Sequence, residues 1–297
     1  MNSGKRDEII RLRRGWLASV LPAALWESIF LLLPFVIILV ISFLSRGEYG
    51  SVEKPWTLEN YKRLAGFTLF GFESLYPLII LRSFLLAFLT ALLCALAGLP
   101  LAFFIARRSG GKRMVALVLL TIPVWTNLLV RTYGWQILLG PESWITHAAV
   151  ALRIIPAGQG LYPGTASVLI CLVCDYLPFA ALPIYASVEK LDWSVVEAAC
   201  DLGASGWELF RHAIYPQIQP GLWAGLILVF LPATGQFVIP DLLGGAKTVF
   251  IGNILQQQFG ASRDWPFGAA FTSVSMLFIL GGMFFYFRKA KEETQIL

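Results

Sequence analysis

Residues 194–216 read SVVEAACDLGASGWELFRHAIYP, a mostly polar island between two strongly apolar stretches. Ser194 and Glu197 have the S-x-x-E spacing of a capping box, in which hydroxyl and carboxyl satisfy free backbone N–H groups at a helix start. Gly203 supplies the left-handed residue that commonly ends a helix. Ser205 and Glu208 repeat the spacing. Pro216, which has no N–H to donate, falls where a second short helix should stop. The island predicts two short helices joined by a glycine turn.

The flanking stretches belong to a membrane protein. The 297 residues are 57% hydrophobic and 14% charged, with a mean hydropathy of +0.71, whereas soluble domains are about a quarter charged. Apolar runs of about 20 residues mark membrane spans. Six are expected, near Pro22–Leu44, Pro77–Ala106, Met114–Leu139, Thr165–Val188, Ile218–Pro240 and Phe267–Phe287. The first lacks a small-residue cleavage site and reads as a retained helix. Six spans put both termini on one side. Fourteen of the 23 Lys and Arg fall on that side: Lys5, Arg6, Arg11, Arg13 and Arg14, then Arg107, Arg108, Lys112 and Arg113, then Lys190 and Arg211, and finally Arg288, Lys289 and Lys291. By the positive-inside rule both termini and the island are cytoplasmic. The same bias explains a pI near 9.1 without invoking nucleic acid.

The expected organisation is one all-α membrane domain over 22–288, with its cytoplasmic loop at 189–217, between a tail at 1–21 and a tail at 289–297. No internal repeat or separable soluble domain is evident. The outer loop at 45–76 is aromatic (Tyr49, Trp56, Tyr61, Phe67, Phe70) and should pack as ordered structure. A second outer segment, 140–164, is rich in proline and glycine (Gly158 among them), and a third, 241–266, contains LLGGAK and GNILQQQF. These loops could receive a soluble partner or serve as connectors. Prolines recur within spans, and the pairs Pro178/Pro183 and Pro232/Pro240 flank the island's spans, where bending could transmit its movement.

No nucleotide-hydrolysing motif occurs: Gly110-Gly111-Lys112 is followed by Arg113, and GGAKT lacks the Gly-Lys adjacency. The two histidines, His147 and His212, fall on opposite sides of the membrane, so no catalytic residues and no enzymatic activity are expected. Cys171 and Cys174, one helical turn apart in a span, read as packing residues, and no metal-ligating spacing exists. Ionisable residues in spans are the functional pointers, because burying a charge in lipid is costly. Asp175, in CDYLPF beside Tyr176, either faces a cavity or pairs with a buried group such as Arg131. Gln236 and Asp241 lie at the outer end of the fifth span, and Trp125 and Asn127 hold a comparable place in the third. The bland alternative is that Trp125 anchors at an interface and Asn127 caps a break.

The order Glu197, Ala198, Ala199, Gly203, Pro216 resembles the EAA loop of permease subunits in bacterial ABC importers, which prefer aliphatic residues where Ala213 and Tyr215 stand here. The stretches IPVWTNLLVRTYGW, YLPFAALPIYASVEKLDWSVVEAACDLGAS, LPATGQFVIPDLLGGAK, IGNILQQQF and RDWPFGAA are similar to the spermidine/putrescine-type permeases. The resemblance implies a type I ABC importer permease fold of six transmembrane helices in the bacterial inner membrane. It also implies two ATPase subunits that bind the ATP, a second homologous permease, and a periplasmic substrate-binding protein, with no cofactor or metal on this chain. Movement of the loop on the ATPase would drive alternating access for polyamines. Glu197 then has two competing roles, N3 of its own cap or partner of a basic ATPase residue. Asp175, Tyr176, Gln236, Asp241, Trp125 and Asn127 become a candidate polycation path: carboxylates replace water around ammonium groups, and aromatic faces add cation–π contacts of about 0.5–2 kcal/mol. Related permeases carry other small solutes, aminophosphonates and ferric iron among them. Readings from other classes are an ATP-independent secondary transporter with an ion relay through Asp175, and an intramembrane enzyme using Cys171 or Asp175.

Overall fold

The structure, a computed structural model, describes residues 3–68, 71–153, 155–156, 159–245 and 248–294. Phe70, Gly158, and Ala246 and Lys247 of the GGAK run lie outside the described residues. So do the side chains of Lys5, Arg6, Arg11, Arg13, Arg14, Tyr49, Phe287, Lys289 and Lys291. The helices are α1 (Ser3–Ser42), α2 (Glu59–Leu64), α3 (Leu75–Ala106), α4 (Gly110–Trp125), α5 (Leu128–Leu138), α6 (Trp144–Ala151) and α7 (Thr165–Glu189). They continue as α8 (Trp193–Asp201), α9 (Gly206–Leu209), α10 (Tyr215–Gly235), α11 (Val238–Leu243), α12 (Ile251–Phe259) and α13 (Trp265–Thr294). Two small antiparallel hairpins, β1 (Ser45–Arg46) with β2 (Val52–Glu53) and β3 (Phe67–Thr68) with β4 (Gly71–Phe72), order part of the segment between α1 and α3. Among the described residues, five helical stretches are long and apolar enough to cross a membrane, or six if the bent α4–α5 pair is one span.

The chain divides into two compact units, residues 1–73 with 257–297 and residues 74–256. In the first, α1 packs on α13, and α2 is pinned by side chains that satisfy chain ends. Asn60 Nδ2 donates to the carbonyls of Ser42 and Leu44, 3.0 and 2.9 Å away, closing the end of α1. Asp264, buried just before α13, accepts from Phe267 N and forms a 2.8 Å ion pair with Arg63, whose guanidinium also covers the Phe267 ring at 4.2 Å.

The second unit is built on α3, α7 and α10, and small residues set its packing. Ala87, Ala91, Cys94, Ala95, Gly98 and Ala102 form one stripe of α3. A Cβ on Gly98 would lie 3.3 Å from the Ala181 backbone, and one on Gly225 of α10 would lie 2.9 Å from the Ala180 carbonyl. Such close approach is how helices associate in lipid, where dispersion rather than water expulsion holds them together. Cys171 is buried in this core, but Cys174 is exposed, so the shared packing role expected for the pair holds for Cys171 alone.

Two expected spans differ in shape. The span at Met114–Leu139 is not one straight helix: α4 and α5 meet at 94° around Thr126 and Asn127. Pro123 removes a donor in the last turn of α4, and Asn127 restarts the helix by accepting from Leu129 N and Val130 N at 2.9 and 3.4 Å. The span at Ile218–Pro240 instead begins at Gly206 and ends at Gly235, with α11 as a separate short helix.

Candidate functional site

The inner stripe of α7 runs Val168, Cys171, Leu172, Asp175, Pro178, a helical spacing that carries a carboxylate into the packed core. There Asp175 needs a partner, and Arg131 in the second turn of α5 supplies it. Arg131 Nη2 donates to Asp175 Oδ2 at 2.9 Å, and Nε lies 2.6 Å from Oδ1. The Arg131 and Asp175 side chains are 19% and 3% exposed, respectively. The planar guanidinium fits a carboxylate through two parallel contacts. Its remaining nitrogen, Nη1, donates to the Pro123 carbonyl and to Thr126 Oγ1 at 3.3 Å. One side chain therefore ties α7 to the end of α4 and to the break itself. The carbonyl freed by the bend finds its donor inside the protein, as a broken membrane helix requires.

A second break adjoins the same helix. Gln236 follows α10, and its Oε1 accepts from Phe237 N and Val238 N at 3.0 and 3.2 Å. Its Nε2 donates to the Tyr176 hydroxyl at 3.4 Å, next to Asp175 in sequence. Asn253 Nδ2 donates to the Phe237 carbonyl at 3.2 Å, and Gly252 lets α12 approach so closely that a Cβ would lie 2.6 Å from the Gly235 carbonyl. Asp175, Tyr176, Gln236 and Asn127 thus belong to one polar centre made of two helix breaks on either side of α7. Asp241 and Trp125 do not join it by hydrogen bond or ion pair among the described residues. Asp241 is exposed in the first turn of α11, and Trp125 is 88% exposed at the end of α4.

The 194–216 island has the expected helix–glycine–helix course, with Gly203 at φ +88° ending α8. Its caps differ from expectation. The N-cap of α8 is Asp192, whose Oδ1 accepts from Ser194 N at 2.9 Å and from Ser194 Oγ at 2.7 Å. Ser194 is therefore inside the helix, its hydroxyl is already used, and Glu197 cannot close a box with it. A carboxylate accepts more strongly than a hydroxyl and wins the cap position. These bonds from Ser194 hold the Asp192 carboxyl below its ordinary pKa. Glu197 is exposed, with no hydrogen bond or ion pair among the described residues. Ser205 does stand at the N-cap of α9, without a side-chain cap bond.

Pro216 ends nothing. Residues Phe210–Ile214 form a wider π turn, Tyr215 N bonds to the Phe210 carbonyl, and the chain runs straight on into α10 with Pro216 in its first turn. The extra residue in the turn moves the backbone clear of the proline ring, and position one or two of a helix needs no proline N–H. Gln217 fastens the joint, donating through Nε2 to the Ala213 carbonyl at 2.8 Å and accepting from Asp192 N at 2.8 Å. The first loop helix is thus bonded directly to the base of α10.

The outward side of this loop is apolar. Leu202 is 90% exposed, and Trp207, stacked on Phe210 at 5.4 Å, is 70% exposed. Ala198 is also exposed, while Ala199 rests against the core that contains Val196 and Ala213. At the start of α4, Arg113 pairs with Glu189 at the end of α7 and donates to the Tyr185 hydroxyl, joining the two helices beside the loop. Counting cations for topology gave Arg113 no such specific task. Asn253 and Gly252 also escaped sequence reasoning, since nothing local in GNILQQQF signals a partner 16 residues away.

Comparison with known proteins places this geometry. The spermidine/putrescine transport system permease protein PotB of Escherichia coli K12 is 39% identical over 265 residues, covering 89% of this chain and 94% of that protein. PotB of Haemophilus influenzae is 36% identical over 267 residues, covering 90% of this chain and 91% of the relative. A crystal structure of a bacterial ABC transporter involved in the import of the acidic polysaccharide alginate matches 95% of this chain and 99% of its own, with TM-score 0.68 and 16% identity. That likeness is one of fold, and it agrees with the expected type I ABC importer permease architecture. With residues 96–289 matching the family's model, this chain belongs to the binding-protein-dependent transport system inner membrane components, multi-pass proteins of the inner membrane.

Proposed function

We propose that the chain is one permease subunit of a polyamine importer, carrying spermidine or putrescine by alternating access. The observation that supports this most is the kinship with PotB permeases over about nine-tenths of the chain. In this reading a second, homologous permease completes the pathway, two separate ATPase subunits bind and hydrolyse ATP, and a periplasmic protein delivers the substrate. Both tails, 1–21 and 289–297, and the 189–217 loop face the cytoplasm. The loop docks on the ATPase through the exposed apolar side of Leu202 and Trp207, with Ala198 allowing close approach. Glu197, whose carboxylate has no partner among the described residues, meets a basic residue there.

The path is lined by Asp175, Tyr176, Gln236, Asp241, Trp125 and Asn127. Asp241 offers the free carboxylate and takes an ammonium group first. Asp175 becomes available only when Arg131 leaves it, so a passing cation and the α4–α5 break would compete for one carboxylate. The test is ATP hydrolysis by the chain reconstituted with its partner subunits and binding protein. Stimulation by spermidine or putrescine, and none by a neutral solute of similar size, supports the assignment. No stimulation by any polyamine removes the substrate and leaves the family untouched.

A further inference from the structure

α3 carries a single charge along its 32 residues, Arg82, which is exposed and has no hydrogen bond, ion pair or ring contact among the described residues. At 1.5 Å per residue, Arg82 lies about 36 Å from Ala106 at the other end of the helix. The hydrocarbon layer is about 30 Å thick. With Arg107 and Arg108 marking the far boundary, Arg82 stands at the headgroup level of the opposite leaflet. An arginine at that height extends its guanidinium toward the interface.

Beside it opens a cavity of about 460 Å³. Arg82, Thr165 and Thr248 are its polar lining residues. Leu85 and Leu89, one and two turns farther along α3, form its wall with Val249 and Phe250. Thr165 is the first residue of the 25-residue α7, whose amino end carries the positive side of the helix dipole. Among the described residues, no acidic side chain lines the cavity. A cation at the headgroup plane above an apolar wall in the hydrocarbon plane calls for one molecule with an anion and a chain.

We propose that this cavity binds an anionic phospholipid of the leaflet at the amino end of α3. The phosphodiester is held by Arg82 and Thr165, and one acyl chain lies along Leu85, Leu89, Val249 and Phe250. Arginine suits phosphate because its planar donors reach two oxygens at once. A free phosphate would leave the apolar wall bare, and an apolar helix of another subunit would leave Arg82 unpaired.

The test uses the complex in which the chain is purified, stripped of lipid and exchanged into phosphatidylcholine nanodiscs with or without phosphatidylglycerol. Bound lipid is counted by mass spectrometry, and Tm is measured alongside. Wild type should retain about one phosphatidylglycerol and gain thermal stability from it; loss of a charge-assisted contact in Arg82→Gln should weaken retention roughly tenfold. Arg82→Lys should keep most of the binding, and Leu89→Trp should lose it with Arg82 intact. Glycerol 3-phosphate should give no shift. Retention in Arg82→Gln and Leu89→Trp equal to that of wild type overturns the proposal. An equal Tm shift from glycerol 3-phosphate overturns it as well, as does cross-linking of Leu89→Cys to another subunit in place of lipid. None of these readouts depends on which solute is transported.

Discussion

Replacing Arg131 by alanine should be the most damaging single change in the polar centre. Asp175, with only 3% of its side chain exposed, would keep its carboxylate in the core without the 2.9 Å hydrogen bond to Oδ2 and the 2.6 Å ion-pair contact at Oδ1. Breaking a buried pair from one side costs about 3–5 kcal/mol. The Pro123 carbonyl would lose one donor in the same step but keep Thr126 Oγ1 at 2.7 Å, so little is added there. Asp175→Ala should cost less, because Arg131 is 19% exposed and retains Thr126 and the Pro123 carbonyl as partners. The double variant should then be more stable than the sum of the single losses predicts, by about 2 kcal/mol or more, the signature of a direct pair. Equilibrium unfolding in mixed micelles gives all four corners of the cycle. An Arg131→Ala loss under about 1 kcal/mol, or strict additivity, would refute the claim that this pair holds the α4–α5 break to α7.

Glu197→Gln and Glu197→Ala should leave α8 equally protected from amide exchange and reduce ATP-coupled uptake equally; a defect confined to alanine would restore the capping role. Asp192→Ala should expose the Ser194 amide to exchange. Because the folded pKa of Asp192 is lowered, its cap should be fully present above the ordinary aspartate pKa of about 3.9 and vanish as pH falls through the lower folded value. Flat exchange of that amide across this acid range would contradict the sign. Gly252→Ala places a methyl within 2.6 Å of the Gly235 carbonyl and should destabilise the protein by about 1–3 kcal/mol in the same unfolding assay, with an unchanged midpoint arguing against close packing at the second break.

The spans and the loop were legible because lipid allows few alternatives: a backbone crossing it must be helical, and a polar island between two spans must lie outside it. The Arg131–Asp175 pair was also foreseeable, as two opposite charges stranded in apolar runs. The caps were not. S-x-x-E at Ser194 matched a known spacing, but Asp192, two residues earlier, takes the N-cap by accepting from Ser194 N, which puts Ser194 inside the helix. Proline at 216 read as a stop because local rules assume an α turn before it, and the π turn at Phe210–Ile214 removes that clash. The 94° bend was signalled by Pro123 and Asn127 together, yet continuous hydrophobicity through Leu139 concealed it. The Asn253 contact, made across a loop, left no periodic trace at all.

Uptake of labelled spermidine into proteoliposomes decides whether the chain works within an ATP-driven importer. The vesicles would hold this chain with its partner permease and ATPase, with loaded binding protein on the opposite face. Accumulation should require ATP, persist with an uncoupler, and disappear with a hydrolysis-dead ATPase. Accumulation that survives the dead ATPase and collapses with the uncoupler would contradict the account and favour an ion-driven carrier.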